Sequence, residues 1–337
     1  MDALLVTTSK TRHDVSPAVS QVKNLRPQRN LATRLGITLV SGGKVQTNDL
    51  VMALAFFLPA FLVLLFLGTY PITTALISAF QHRPLFDLDN TVWVGLDNFT
   101  SIFQHPQLWN AFSNDIVFTG ASISVQTVIG IAVALLLHQQ FPGRNIVRGL
   151  VLFSYVFPVA VAAIVWRFML SDSVGILHHL IDAWHLPIPN TWFVSPKTAM
   201  PSVVMVTAWK FFPFMVITFL ARLQTIDVTL YEAAKVDGAN VFHSFWYVTL
   251  PMLMPVIIIV LLLRTIWTFN NWAVISLLTQ GGPAYSTITP PILVYDTLFK
   301  EFSLGRAAAI SFLMTGLLLV AMVIYLRAYD RSEERLA

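Results

Sequence analysis

The segment 222–254 contains residues whose types and spacing suit contact with another protein. Its centre reads Glu232-Ala233-Ala234, followed by Asp237 and Gly238. The two alanines leave a flat surface that another chain can approach closely, and the carboxylate of Glu232 is a charged hydrogen-bond acceptor. A hydrogen bond to such a charged group contributes about 1.5–3 kcal/mol when it is shielded from water. The pattern predicts a docking surface; the alternative is a solvated acid on an exposed helix.

The same segment predicts two short helices joined at a glycine, and we call segment 222–254 the elbow. Asp227 is a plausible N-cap for a helix over 228–237, because a short side-chain oxygen can accept from the free N–H groups of a first turn. Gly238 is the expected left-handed stop. Asn240 is expected to cap a second short helix, which Pro251 would close. Asp237 would either support the first helix or contact a partner.

A second group combines amides with aromatic rings, in the order Phe269-Asn270-Asn271-Trp272. This combination suits a sugar, which presents hydroxyl groups along its edges and C–H groups on its faces. Hydrogen bonding between helices is the competing role for such asparagines. Adjacent residues of a helix point about 100° apart, so we expect only one of the two amides to face a solute, and we expect it to be Asn270.

Two cations lie within otherwise apolar runs, namely Lys210, which is flanked by Trp209 and Phe211, and Arg264. A cation inside a membrane is costly unless it faces a cavity or finds partners. Lys210 has three possible roles: it binds an anionic group of the solute, it pairs with carbonyls freed by Pro213, or it reaches to the membrane surface. The second and third roles are the more common ones.

Motifs for catalysis are missing from the sequence. The nearest run to a phosphate-binding loop is Gly42-Gly43-Lys44, which lacks the earlier glycine and is followed by Val45 rather than Ser or Thr. There is no HExxH zinc motif and no nucleophile elbow, and the chain contains no cysteine. We therefore expect no enzymatic activity, no metal site and no bound cofactor in this chain.

Membrane-spanning helices are the elements that must position these residues. Hydrophobic residues make up 56% of the 337 residues and charged residues 11%, against roughly 25% charged in a soluble domain. A helix needs about 20 apolar residues to cross the hydrocarbon core, and the apolar runs are too continuous for barrel strands. We predict an all-α, polytopic membrane protein with six transmembrane helices. The predicted spans are 51–69, 116–137, 149–166, 199–220, 255–278 and 307–326.

The distribution of lysine and arginine predicts the orientation. Fourteen of these residues fall on the side that holds the basic tail 1–50, the loop 138–148, the elbow and the tail 329–337, and four fall on the opposite side. Cytoplasmic loops carry such an excess of positive charge, so both termini and the elbow are predicted to be cytoplasmic. The tail 1–50 lacks an apolar core region, so no secretory signal peptide is expected.

The elbow resembles the signature of permease subunits of bacterial ATP-binding-cassette importers: Glu-Ala-Ala, three residues, Gly, nine residues, an aliphatic residue, any residue and Leu-Pro. The matching residues are Glu232, Ala233, Ala234, Gly238, Val248, Leu250 and Pro251. Other stretches resemble carbohydrate-uptake permeases of the maltose and glycerol-phosphate type. Among them are Trp209-Lys210, the stretch from Thr268 to Trp272, and the stretch from Leu278 to Pro283. The resemblance covers about residues 50–328, but this chain has six predicted spans instead of the eight of the larger maltose subunit, and it lacks that subunit's large periplasmic insertion.

This resemblance implies a type I importer permease fold in the bacterial inner membrane. It implies a second homologous permease subunit, an ATP-binding-cassette ATPase dimer that uses ATP and Mg, and a periplasmic or lipid-anchored solute-binding protein as partners, in addition to the lipid bilayer and without nucleic acid. The residues implied in ATPase coupling are Glu232, Ala233, Ala234, Asp237 and Gly238. Those implied in solute contact are Trp209, Lys210, Phe269, Asn270, Asn271 and Trp272.

Two alternatives remain at the level of the sequence. The same machinery could import a polyol, glycerol phosphate or a sulfonated sugar. An ion-coupled carrier would need carboxylates in the membrane to hold its ion, and none of the six predicted spans contains Asp or Glu.

Overall fold

A computed structural model of the chain describes residues 47–185 and 191–334. Most of the predicted basic tail 1–50 lies outside the described residues, and its last four residues begin a helix. The predicted tail 329–337 is helical over its described residues, as far as Glu334. By its contacts the chain divides into two units, Met1–Phe66 and Leu67–Ala337.

Long apolar helices dominate the described residues. We number the helices α1 to α13 in chain order. They are α1 Thr47–Ala79, α2 Asp97–Phe103, α3 Pro106–His138, α4 Arg144–Val156, α5 Val159–Met169, α6 Ile176–Ala183, α7 Pro196–Leu223, α8 Val228–Val236, α9 Val241–Ser244, α10 Leu250–Phe269, α11 Trp272–Leu278, α12 Pro290–Phe299 and α13 Leu304–Glu334. Five helical stretches in the described part are long and apolar enough to cross a membrane, or six when the bent pair α4 and α5 counts as one.

Two of the predicted spans differ from the structure. The third, 149–166, is not one straight helix, because α4 and α5 meet at a bend of 94° at Phe157–Pro158. Proline cannot supply the N–H that would continue the helix. The fifth, 255–278, is interrupted at Asn270–Asn271, and α11 continues beyond the break as a separate short helix.

The core of the second unit forms where α3 and α7 pack along their lengths. Gly130 on α3 allows a close approach, since a Cβ atom added there would lie 2.5 Å from the Cβ of Met215. Small residues allow such close packing of helices in membranes. Phe219 of α7 lies beside this contact, and Phe118 of α3 is buried in a separate cluster nearer the start of α3. α3 and α7 therefore form the frame against which α10, α11 and α12 pack.

A small antiparallel hairpin follows α1 and is joined to the last helix. Its strands are β1 Gln81–His82 and β2 Val92–Trp93. The N–H of Leu304 donates to the carbonyl of Arg83 at 2.9 Å. Gly305 is required at this contact, because a Cβ atom there would lie 2.0 Å from the carbonyl oxygen of Gln81. The hairpin thus fixes the start of α13.

Candidate functional site

The first helix of the elbow, α8, is held by its own capping residues. The carboxylate of Asp227 accepts a hydrogen bond from the backbone N–H of Thr229 at 2.9 Å, and this bond holds the pKa of Asp227 below its usual range. At the other end Gly238 has φ +83°, and the N–H of Ala239 donates to the carbonyl of Ala234 at 2.9 Å. The predicted N-cap and left-handed stop are both confirmed.

The second part of the elbow differs from the prediction. Asn240 caps α9 as expected, accepting from the N–H of His243 at 2.9 Å, but Pro251 does not end a helix. After α9 the chain makes one wide π turn, Phe245–Thr249, and continues directly into α10 with Pro251 in its first turn. The wide turn opens the hydrogen-bond ladder just before the proline, so the ring is accommodated without a stop.

An open groove of about 580 Å³ lies between the two parts of the elbow. Four of the five predicted coupling residues line it, and the fifth, Glu232, is exposed beside them. The lining residues are Leu230, Ala233, Ala234, Asp237, Gly238, Ala239, Asn240, His243, Tyr247 and Val248. A Cβ atom added at Gly238 would meet nothing within 4 Å, so glycine is needed there for its backbone conformation. The arrangement is a shallow, open groove with a carboxylate at its side.

Several apolar side chains of the elbow are exposed around this groove. Val236 is 88% exposed, and Val241, Phe242 and Tyr247 are exposed to a similar degree. A patch of this kind is typical of a surface that another protein covers. The carboxylate of Glu232 makes no hydrogen bond or ion pair with any described residue.

The elbow is joined firmly to the spans on either side. The Nε atom of Arg222, near the end of α7, donates to the carbonyl of Met252 in α10 at 2.9 Å. The hydroxyls of Tyr231 and Thr249 lie 3.1 Å apart, which connects α8 to the start of α10. Side-chain hydrogen bonds therefore join α7 to α10 and join α8 to the residue that precedes α10.

Lys210 is buried and holds the bend between α4 and α5. Its ammonium donates to the carbonyls of Ser154, Tyr155 and Phe157 at 2.8, 2.9 and 2.6 Å. An ammonium has three protons, so all of its donors are used, and only 2% of the side chain is exposed. The carbonyls are those left free before Pro158, not those expected at Pro213. The geometry leaves no donor of Lys210 for an anionic solute.

Arg264 joins three helices through side chains. Its Nε atom donates to Oε1 of Gln126 on α3 at 3.0 Å, and one terminal nitrogen donates to Thr268 at 3.2 Å. Its guanidinium lies 4.5 Å from the ring centre of Phe211 on α7. Gln126 is a residue that we did not identify from the sequence, although a polar side chain in the middle of a predicted span is itself a signal.

The predicted solute residues divide between exposed and buried positions. Asn270 is exposed and its amide donates to the carbonyl of Ile266 at 2.8 Å, while the side-chain oxygen of Asn271 accepts from the N–H of Val274 at 3.1 Å. The two asparagines therefore end one helix and cap the next. The expected angle of 100° between them does not apply, because they are not in one continuous helix.

The aromatic members of this group have separate surroundings. Phe269 is 4% exposed and belongs to the hydrophobic core, so it is not available to a solute. Trp272 is partly exposed and packs on Tyr295 with ring centres 5.2 Å apart. Trp209 packs on Trp166 at 5.3 Å and lines an open groove of about 640 Å³ between α3 and α7, whose lining is entirely apolar.

The prediction that no span contains an acidic residue also needs correction. The helix α3 begins at Pro106, before the predicted start of the span, and therefore includes Asp115, which is buried and whose Oδ1 accepts from Thr119 at 3.4 Å. Among the described residues, no group of three or more His, Cys, Asp or Glu side chains is placed to hold a metal.

Comparison with known proteins identifies the family. Residues 126–337 match the family described as binding-protein-dependent transport system inner membrane component. The inner membrane ABC transporter permease protein YcjO of Escherichia coli (strain K12) is 36% identical over 78% of this chain and 89% of its own length. The trehalose/maltose transport system permease protein MalF of Thermococcus litoralis is 32% identical over 79% of this chain and 88% of its own length.

A solved structure shows the same fold. It is the crystal structure of a bacterial ABC transporter involved in the import of the acidic polysaccharide alginate, and one of its chains matches with a TM-score of 0.72 at 24% identity, over 85% of this chain and 96% of that one. With its apolar helices and its matching elbow, the chain belongs to the inner membrane permease components of binding-protein-dependent ABC transporters.

Proposed function

We propose that this chain is the permease subunit of an ATP-driven importer that takes up a sugar or an oligosaccharide. In this proposal it forms half of the translocation pathway with a second homologous permease, and a solute-binding protein delivers the solute. Relatives named as trehalose/maltose and trehalose permeases, both 32% identical, support the sugar class. ATP and Mg are used by the partner ATPase, and this chain performs no hydrolysis.

The structure of the elbow is the main support for this proposal. Its groove of about 580 Å³ is lined by Ala233, Ala234, Asp237 and Gly238. The two flanking spans, α7 and α10, are bonded to each other through Arg222, and α8 is bonded through Tyr231 to the residue before α10. A docking surface that is joined to two spans in this way transmits movement of an ATPase subunit into the membrane. We assign Glu232 to a charged hydrogen bond with that subunit.

Solute contact is assigned to the break between α10 and α11. Asn270 and Trp272 are exposed there, so the break presents one amide and one aromatic ring. Transport sites in membrane proteins tend to use such interrupted helices. The donors of Lys210 are occupied by carbonyls, which favours a neutral solute over an anionic one.

The proposed orientation places the elbow and both termini in the cytoplasm, and it is tested directly by labelling. The chain has no cysteine, so any maleimide label on it is attached to the single cysteine that has been introduced. In intact cells a membrane-impermeant maleimide should label Lys300→Cys on the outer side and should not label Lys235→Cys in the elbow. Labelling of the elbow variant from outside would contradict the orientation.

The docking role is tested in proteoliposomes that contain the assembled transporter. Glu232→Lys should leave membrane insertion intact but reduce solute-stimulated ATP hydrolysis and transport at least tenfold, since it removes an acceptor whose hydrogen bond contributes about 1.5–3 kcal/mol and puts a cation against the partner's donor. Glu334→Lys, an exposed acid at the end of α13, is the matched control. Unchanged transport in the elbow variant would refute the role of Glu232.

A further inference from the structure

A second groove lies beside the root of the elbow, between the ends of α3, α4 and α7. Its volume is about 260 Å³, and we call it the root groove. Its lining residues are Leu137, Arg148, Val151, Leu152, Val216, Ile217, Leu220, Ala221 and Gln224. It is separate from the docking groove and from the break at Asn270, and neither the motif nor the transport role accounts for it.

Most of the root groove is aliphatic and faces outward from the helices. Ile217 is 46% exposed, and Val151, Leu152, Val216 and Leu220 continue the apolar surface along α4 and α7. One turn of a helix about 10 Å wide occupies about 400 Å³, which is more than the groove holds. The groove can instead hold part of one acyl chain, whose remainder would lie in the bilayer.

The two polar residues of the lining are Arg148 and Gln224. One terminal nitrogen of Arg148 donates to the carbonyl of Leu137 at 3.2 Å, and this bond fixes the guanidinium at the rim. Its Nε atom is buried and has no hydrogen-bond partner. Because that atom is shielded by the protein, an incoming acceptor would meet the terminal nitrogens of the guanidinium, which lines the groove.

The positive charge at the rim indicates that the acceptor is an anion. The lining contains one cation and no acid, and the stretch from residue 138 to 156 contains no Asp or Glu. A guanidinium presents several N–H groups in a plane, which matches the oxygens of a phosphate. Basic pockets beside spans bind anionic lipid head groups in this way.

We propose that the root groove binds an anionic phospholipid, with its phosphate on Arg148 and Gln224 and one acyl chain along Val151, Ile217 and Leu220. The lipid would contact α7 immediately before the elbow, where Arg222 is bonded to Met252, and would brace the root of the docking surface. The proposed orientation of the chain decides only which leaflet supplies the lipid, and lipid binding itself does not depend on it.

Mass spectrometry of lipids retained by the purified transporter tests this site. The complex is exchanged into nanodiscs of phosphatidylcholine that contain a small fraction of phosphatidylglycerol, then stripped with mild detergent. Wild type should retain phosphatidylglycerol, and Arg148→Gln should retain about tenfold less, since a hydrogen bond to a charged group corresponds to about a factor of ten. Arg144→Gln is the matched control, because Arg144 bonds to the carbonyl of Gln139 and does not line the root groove.

A second variant tests the acyl chain without changing the charge. Ala221→Trp fills the root groove and should lower retention of phosphatidylglycerol and of the zwitterionic phosphatidylcholine alike, whereas Arg148→Gln should lower the ratio of phosphatidylglycerol to phosphatidylcholine. Equal retention by wild type and Arg148→Gln would overturn the site, as would a disulfide between Ile217→Cys and a cysteine of the second permease, which would show that a protein covers the groove. Because lipid retention is measured apart from transport, its failure leaves the transport role unaffected.

Discussion

The elbow and the bend between α4 and α5 are both interruptions of helical structure, but they are held in opposite ways. In the elbow, Asp227 caps its own helix two residues away and Gly238 ends it. At the bend, the free carbonyls of Ser154, Tyr155 and Phe157 are bonded to Lys210, which is 53 to 56 residues distant in the sequence.

The difference follows from the surroundings. Water can satisfy the backbone groups at the ends of an exposed helix, so capping adds only a modest stabilisation there. Inside a membrane no water is available, and each free carbonyl must find a partner within the protein. A bend in a span therefore depends on tertiary contacts, whereas an exposed elbow depends on its own residues. The following predictions test this contrast.

The largest effect is expected at Lys210. Lys210→Met keeps the length of the side chain but removes all three donors, so the carbonyls at the bend lose their partners within the membrane. With about 1.5–3 kcal/mol for a hydrogen bond to a charged group, we expect the complex to lose at least 3 kcal/mol of stability, measured by thermal unfolding in nanodiscs.

The control for this prediction is Lys197→Met, the same substitution at an exposed position in the first turn of α7. It should leave the unfolding temperature unchanged. If Lys210→Met unfolds at the wild-type temperature, the bend is not held by this ammonium.

An intermediate effect is expected at Gly238. Gly238→Val should impair coupling between ATP hydrolysis and transport, because a left-handed conformation costs about 1–2 kcal/mol for an ordinary residue and more for a β-branched one. Gly238→Asn should retain most of the activity, since asparagine tolerates this conformation. There is open space around the glycine, so equal damage by both variants would indicate direct contact with the ATPase instead.

Smaller effects are expected at the break between α10 and α11, on stability for one asparagine and on transport for the other. Asn271→Ala removes the N-cap of α11 and should lower the stability of the complex by about 1 kcal/mol. Asn270→Ala should reduce transport while leaving assembly and the affinity of the binding protein unchanged. The two variants serve as controls for each other, and normal transport by Asn270→Ala would show that its assignment to the solute is wrong.

The smallest effect is the response of α8 to pH. The folded-state pKa of Asp227 is depressed by the Thr229 N–H, so the stabilisation by this cap is present above the unfolded pKa, about 3.9, and is lost as the pH falls through the folded value. Amide hydrogen exchange in the first turn of α8, corrected for the intrinsic rate, should therefore accelerate as the medium is acidified. Asp227→Asn keeps the capping oxygen without a titrating group, so it should remove this pH dependence; an identical profile in both proteins would contradict the assignment.

The sequence by itself determined the all-α membrane fold, the approximate positions of the spans and the two caps of the elbow. Apolar runs of about 20 residues specify helices in a membrane regardless of what surrounds them. Asp227, Gly238 and Asn240 act on backbone groups within a few residues, so their roles follow from spacing alone. The same reasoning failed at Pro251, because a proline in a first turn allows either a stop or a continuation.

Tertiary structure decided the interruptions inside the membrane and the partners of the buried cations. Arg264 bonds to Gln126 across 138 residues, and no pattern along the chain connects the two. Lys210 had three possible roles in the sequence, and only the position of the broken helix selected one of them. Burial determined the partners of these cations, because a polar group without water must bond to whatever donor or acceptor the packed helices bring to it.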